Sequence, residues 1–241
     1  MSRAVYAAAG AVVSSLSIIV PTLNEAAGIG AALAALQPLR AAGHEVVVVD
    51  GGSGDETPDL AAPLADRLAN APRGRASQMN TGARLASGDV LLFLHADTLL
   101  PPRADRLVLD GLAGSGRAWG RFDVHIDGGQ QLLRLVAALM NLRSRWTGIA
   151  TGDQAIFVRR DAFVTVGGFP ELPLMEDVAL SAALKRVSRP LCLHERVLTS
   201  GRRWESRGAM RTIALMWWLR LRYFLGTSPE RLAEIYRHHP R

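Results

Sequence analysis

Three short polar clusters, each following a run of apolar residues, hold most of the chemistry this chain could do. The first is Pro21-Thr22-Leu23-Asn24-Glu25, after Leu16-Ser17-Ile18-Ile19-Val20. The second is Asp50-Gly51-Gly52-Ser53-Gly54-Asp55-Glu56-Thr57, after Glu45-Val46-Val47-Val48-Val49. The third is His95-Ala96-Asp97-Thr98, after Val90-Leu91-Leu92-Phe93-Leu94 and closed by Pro101 and Pro102. Uninterrupted apolar runs of this length read as strands buried on both faces. Open parallel sheets bind ligands just beyond the carboxyl ends of their strands, so the three clusters should converge on one edge. His95 and Asp97 offer a borderline nitrogen and a hard oxygen, a set that Mg²⁺ or Mn²⁺ bound to a diphosphate accepts. Taken alone, the pair reads more readily as a turn in which Asp97 caps the next element and His95 is satisfied by a neighbour. Asp50 is placed to hydrogen-bond a ribose or base, and the glycines beside it let backbone approach a ligand closely. Ser53 and Thr57 also fit as turn and cap residues.

The elements that must position these clusters alternate along the first two-thirds of the chain. Strands are expected at Ser17–Val20, Glu45–Val49 and Val90–Leu94. Helices are expected at Ala26–Leu36, Thr57–Leu68, Ser77–Leu85 and Pro102–Leu112, with Pro63 kinking or shortening the second. This rhythm implies a mostly parallel, Rossmann-like sheet flanked by helices, with right-handed crossovers. Further strands are expected at Trp119–Ile126, Ala155–Val158, Pro190–Leu193 and Val197–Thr199. Helices are expected at Gln130–Trp146, Arg160–Val166, Asp177–Arg186, Gly208–Leu225 and Ser228–Tyr236. Arg159-Arg160 reads as a solvated turn, and Trp146 and Phe169 as core or pocket wall. A Glu176-Asp177 pair opening a helix is ordinarily favourable dipole chemistry.

With 241 residues, 49% of them hydrophobic, the chain can build one sizeable α/β domain. One cysteine, Cys192, excludes an intrachain disulfide and a cysteine zinc cluster, and a reducing cytoplasm fits best. The net charge of +6 rests on arginine, with Lys185 the only lysine. Arginine suits bidentate phosphate recognition. No aromatic-basic nucleic-acid motif is present, so phosphate ligands or an anionic membrane surface are the expected partners rather than nucleic acid. The uncharged stretch Ala4–Val20 has the look of a signal peptide, but its end is the first buried strand, so it is read as part of the fold.

In order along the chain, these motifs resemble the family-2 glycosyltransferases, which have the GT-A nucleotide-sugar-binding fold. The resemblance covers roughly Ser15 to Trp204. It is carried by Ser17–Glu25, Val47–Ser53, Asn80-Thr81-Gly82-Ala83, Ala86-Ser87-Gly88-Asp89 and His95-Ala96-Asp97. Further on it includes Phe157-Val158-Arg159-Arg160, Gly167-Gly168-Phe169 and Glu176-Asp177. It looks closest to a small bacterial subgroup described by association with radical-SAM or selenium-linked genes.

The resemblance implies a GT-A domain over residues 14–204 and a C-terminal helical extension over 205–241. Pro21, Thr22, Asn24, Glu25, Asp50, Gly52, Ser53, Arg75 and Ala96 would bind the nucleotide. Asp97, with His95 where the family's motif usually has its first aspartate, would hold Mn²⁺ or Mg²⁺. Asp177 would be the general base and Glu176 the alternative. Gly152, Asp153 and Gln154 would form the acceptor side, and Arg202, Arg203 and Trp204 would support the diphosphate. Gly51 stands where many relatives carry an aspartate that helps read the base. The implied activity is metal-dependent, inverting transfer from a nucleotide-diphospho-sugar, UDP-sugar before GDP-sugar, to an unknown hydroxyl acceptor, lipid-linked acceptors included. The rival readings are a sugar-nucleotide nucleotidyltransferase and a non-catalytic nucleotide-binding or membrane-associated module. Gly208–Leu225, with Trp217, Trp218, Arg211, Arg220 and Arg222, is read as packed on the domain. Peripheral membrane contact is its minority reading, and a homo-oligomer is left open.

Overall fold

A computed structural model describes residues 14–128, 131–201 and 209–238. The three phosphate-side candidates Arg202, Arg203 and Trp204, and the stretch before residue 14, lie outside the described residues.

The apolar runs form the sheet. Strands β1 (Leu16–Thr22), β2 (Glu45–Asp50), β3 (Arg67–Asn70) and β4 (Val90–Phe93) lie side by side, all parallel, in the order β3-β2-β1-β4. Strands β5 (Thr98–Leu99), β6 (Trp119–Asp127), β7 (Phe157–Arg159) and β8 (Leu191–Ser200) extend this to eight strands, β3-β2-β1-β4-β7-β6-β8-β5. β7 is antiparallel to both β4 and β6, β8 is parallel to β6, and β5 is antiparallel to β8.

Side chains alternate across a strand, so the central strands feed two cores. Ile18, Val20, Val46, Val48 and Leu92 face one layer of helices, and Ile19, Val47, Val49, Leu91 and Phe93 face the other. The first layer contains α1 (Ala26–Ala34), followed by the short α2 (Gln37–Ala41) and α3 (Thr57–Ala61). On the second face, α4 (Arg75–Leu85) packs Met79 and Ala83 on the sheet. It comes so close at Gly82 that an added Cβ would lie 2.4 Å from Ile19 Cγ2. Helices α5 (Ala104–Ser115) and α6 (Gln131–Thr147) return to the first layer. The side chain of Asn141 pins α6 to β6, accepting from Val124 N–H at 2.9 Å and donating to Val124 O at 3.0 Å. α7 (Arg160–Thr165) and α8 (Glu176–Val187) complete the second layer. Finally α9 (Ala209–Phe224) and α10 (Pro229–His238) dock through Leu219 and Leu232 onto Ile149, Met175 and Val178. Among the described residues no helix is long and apolar enough to cross a membrane.

Several expectations need correction. The helix expected over Thr57–Leu68 stops at Ala61, passes through a 3₁₀ turn containing Pro63, and gives way to β3 at Arg67. Pro63 has no N–H for a continuing helix. The two late strands are one, β8, whose register against β6 shifts between Arg121 and Asp123. Arg160 is not a solvated turn: its guanidinium donates to Gly88 O at 2.6 and 2.9 Å and so clamps the loop before β4. Trp146 is 81% exposed rather than core, whereas Phe169 is buried in a ring cluster with Phe93 and Phe163.

Candidate functional site

Two strand-end loops are laced together around Asp50. Its buried carboxylate accepts from Gly52 N–H (2.9 Å), Ser53 N–H (2.7 Å), Ser53 Oγ (2.5 Å) and Thr22 Oγ1 (3.2 Å). Burial by itself would raise its pKa. The hydrogen bonds from Ser53, Gly52 and Thr22 outweigh that and hold it below the ordinary aspartate value. These four bonds use the lone-pair sites a carboxylate has, so Asp50 organises the turn from within. Asn24, in the left-handed region at φ 54°, donates its backbone N–H to Ser53 Oγ and accepts from Gly54 N–H through its side chain. Thr57 Oγ1 accepts from Glu25 N–H at 2.8 Å. From beneath, the buried amide of Gln78 donates to Thr22 O (2.7 Å) and Val49 O (2.9 Å). Gly51 is filled by this side chain: an added Cβ would lie 3.0 Å from Gln78.

Beyond these loops lie two adjoining cavities. The first, about 320 Å³, is lined by Pro21, Thr22 and Glu25 from the first loop, Arg75 and Gln78 from α4, and His95, Ala96 and Asp97 from the third. The second, about 310 Å³, is lined by Gly152, Asp153, Glu176 and Asp177, with Met216, Arg220 and Tyr236 from the C-terminal helices. Gly74, Arg75 and His95 line both, so they form a shared wall. The His95 ring lies flush on Gly152, where a Cβ would meet Nε2 at 2.5 Å, and its Nδ1 is 3.5 Å from Asp153 Oδ1. The Asp97 carboxylate has a 3.4 Å contact from Thr98 Oγ1, and its backbone carbonyl accepts from Ser200 N–H.

The acid pair sits at the start of α8. Asn80 of α4 holds the preceding segment by bonding both the N–H and the C=O of Phe169. Met175, at φ 69°, then turns the chain sharply into the helix. Asp177 Oδ2 accepts from Gly152 N–H at 2.8 Å, and Oδ1 accepts from Val178 N–H at 2.7 Å. Glu176 is buried, and its pKa is raised to about 7, first by burial and then by the charge of Asp177; Arg75 and His95 pull it partly back. Arg75 feels the opposite balance. Desolvation works against its charge, but Glu176, Asp153 and Asp177 together outweigh it and raise its pKa.

Residues 17–166 match the family model described as glycosyl transferase family 2. The chain belongs to that family. It is 38% identical over 170 residues to a PGL/p-HBAD biosynthesis glycosyltransferase of Mycobacterium bovis, a match covering 64% of this chain and 62% of the relative. It is also 38% identical over 112 residues to the validoxylamine A glucosyltransferase of Streptomyces hygroscopicus, covering 43% of this chain and 26% of that one. The chain thus spans less than two-thirds of the length of these curated relatives. Among solved structures, Staphylococcus aureus TarS 1–349 in complex with UDP superposes with a TM-score of 0.63 at 19% identity, over 78% of this chain and 60% of that one. The mannosyltransferase PcManGT of Pyrobaculum calidifontis, in complex with GDP-Man and Mn²⁺, gives 0.57 at 24% identity, over 76% and 56%. At these identities the structural likeness speaks for the fold, which is that of its GT-A neighbours.

The fold of this family-2 chain brings most of the sequence candidates to one place, though in different capacities. Pro21, Thr22, Glu25, Arg75, Ala96, Asp97 and His95 line the first cavity. Gly152, Asp153, Glu176 and Asp177 line the second. Asn24, Gly52, Ser53 and Asp50 build the loop framework beside the first. Gln154 is fully buried, donating to Asn141 Oδ1 and accepting from Thr151 N–H through its side chain. Among the described residues, no cluster of three or more His, Cys, Asp or Glu side chains forms a ready-made metal site. Sequence reasoning passed over Gln78, Met216 and Tyr236, and named Arg220 as an arginine of the packed C-terminal helix without making it a site residue. Gln78 sits within the α4 segment that carries the Asn80 motif, so its position was a usable signal. The other three depend on how α9 and α10 dock.

Proposed function

We propose that the enzyme moves a sugar from a nucleoside-diphosphate donor, UDP-sugar first and GDP-sugar next, to a hydroxyl acceptor by metal-dependent, inverting displacement. The observation that carries this reading is the wall of Gly74, Arg75 and His95 shared by two cavities, one bearing Asp97 and the other Glu176 and Asp177. The nucleoside would occupy the first cavity, with its diphosphate running toward Arg75 and the sugar at the wall. A guanidinium there offers a planar fork to phosphate oxygens. Arg202, Arg203 and Trp204 would add to this support. The chain's place in the radical-SAM- and selenium-linked subgroup belongs to the same proposal.

Asp97 suits a divalent ion. It is a partly exposed, hard oxygen ligand in the donor cavity with one long hydroxyl contact. Mg²⁺-type sites commonly use one or two carboxylates and complete their shell with substrate phosphates and water. His95 would shape this loop by its contact with Gly152 and Asp153. A bound Mn²⁺ or Mg²⁺ would supply Lewis-acid stabilisation of the departing diphosphate's charge. Solved neighbours are bound to UDP, or to GDP-Man with Mn²⁺, which supports a nucleotide-sugar donor and leaves the base open.

On the acceptor side, Asp177 would take the proton of the acceptor hydroxyl. As it does so, that oxygen attacks the anomeric carbon and the bond to the nucleoside diphosphate breaks. One displacement inverts the centre. The two backbone N–H groups on Asp177 fix its orientation while leaving each oxygen a further lone pair for the incoming hydroxyl. Glu176, whose pKa burial and the charge of Asp177 raise to about 7, would be its neutral neighbour below that pH. The reading is tested by thermal shift with UDP and GDP, with and without Mn²⁺. The wild type should be stabilised by nucleotide in a Mn²⁺-dependent way, and Asp97→Asn should lose that dependence. Equal stabilisation of both proteins across a metal titration would refute the assignment.

A further inference from the structure

Beside the acceptor cavity runs a second, apolar groove. It occupies about 170 Å³ between α6 and α9 and is walled by Leu135, Leu139 and Met140 on one side and Trp217 on the other. Two of its lining residues carry charge, Arg143 and Arg220. Arg220 also lines the cavity that holds Asp177, so groove and cavity adjoin there. The Arg143 Nε and Nη2 and the Arg220 Nε are buried, and among the described residues none has a hydrogen-bond partner. Buried donors left unpaired are costly and call for an explanation. Leu142, at i+3 from Leu139, and Leu221 and Phe224, at i+4 and i+7 from Trp217, are exposed and share helix faces with the groove's walls. Contiguous exposed apolar surface of this kind marks an interaction site.

We infer that this groove holds the hydrocarbon chain of a phospholipid-like acceptor, with its phosphate on Arg143 and Arg220 and its hydroxyl-bearing head in the Asp177 cavity. The order chain, phosphate, hydroxyl follows the order groove, arginine pair, carboxylate. Charge complementarity selects this occupant. Two like-charged guanidinium groups with idle donors suit a phosphate, which accepts several bonds at once. Their proximity is already felt: burial, and then the charge of Arg220, lower the Arg143 pKa to about 10, a load that a bound anion relieves. The inference deepens the proposed glycosyl transfer and rests on it for the identity of the acceptor hydroxyl.

The test uses hexyl, octyl and decyl phosphate, each below its micelle concentration, titrated into the full chain while tryptophan emission is followed. Affinity should tighten about fourfold per added methylene. Inorganic phosphate and octyl glucoside should each bind at least tenfold more weakly than octyl phosphate. Arg220→Gln should cost at least tenfold. Leu139→Asp, at an exposed position that spares the fold, should flatten the chain-length dependence. Nucleotide binding with Mn²⁺ should be unchanged in Leu139→Asp. That arm is scored separately, so loss of nucleotide binding in the wild type overturns the donor assignment rather than the groove. Absence of chain-length dependence, equal affinity for octyl glucoside, or wild-type affinity in both variants overturns the groove. A dimer in light scattering that Leu139→Asp dissolves and alkyl phosphate does not would also overturn it, and would assign the face to self-association.

Discussion

Replacing Glu176 by glutamine isolates the electrostatic load of the acid pair. Glutamine keeps the shape of a protonated glutamate and cannot ionise. In the native protein the Glu176 carboxyl is buried beside Asp177, and its pKa moves from 4.5 to about 7. Between those two values the folded state binds a proton that the unfolded state has released. Stability is therefore fully present below about pH 4.5 and is lost as pH rises through about 7. Raising a carboxyl over that range corresponds to roughly 3 kcal/mol, as an upper figure. The assay is urea denaturation of wild type and Glu176→Gln at pH 5, 6, 7 and 8. The variant should gain on the wild type as pH rises through this window, then keep a constant advantage of up to roughly 3 kcal/mol. Two stability curves that run parallel from pH 5 to 8 would refute the reasoning, because they would show that Glu176 does not hold its proton in the fold.

Other perturbations probe the rest of the site. Asp177→Asn should retain nucleotide binding and lower transfer on the order of 10²-fold or more, as removal of a general base does; near-normal turnover would move that role to Glu176. Gly152→Ala places a Cβ 2.5 Å from His95 Nε2, so His95 must swing from the shared wall; turnover should fall with little change in melting temperature, and unaltered kinetics would dismiss the close contact as unimportant. Gly82→Ala, with its Cβ 2.4 Å from Ile19 Cγ2, should destabilise by about 1–3 kcal/mol, the ordinary cost of overpacking. Equilibrium unfolding would measure it, and an unchanged midpoint would contradict the packing described.

Much of the scaffold could be read directly from hydrophobic patterning. The runs ending at Val20, Val49 and Leu94 are buried on both faces, and that leaves an unbroken apolar signature. The edge strand β3 leaves none: Arg67, Leu68 and Asn70 are exposed, so Arg67 and Leu68 read as the end of a helix and the rest of β3 as unassigned. β5 is two residues long and is defined by its pairing with Leu198 and Thr199. Such pairing depends on register and not on composition. The loops at the strand ends were legible because turn chemistry and ligand chemistry use the same residues. That overlap also hid their division of labour. Asp50 reads as a ligand contact, yet its carboxylate is occupied by Thr22, Gly52 and Ser53. Gln154 reads as acceptor wall, yet it is buried against Asn141. Arg143, Arg220 and Tyr236 come from helices whose docking angle no local pattern encodes.

The attachment of the last two helices has a consequence for how ligands come and go. Two large clusters knit the sheet to its flanking layers, whereas among the described residues α9 and α10 are held by a third, smaller one, with Leu219 and Leu232 against Ile149, Met175 and Val178. Parts of a protein with few buried apolar contacts open at lower free energy than the body they rest on. The helices that supply Met216, Arg220 and Tyr236 to the second cavity are therefore its lowest-energy door. Amide exchange should detach their protection from that of β1, β2 and β4, and an acceptor too bulky to thread a closed cavity would enter at the rate this door swings.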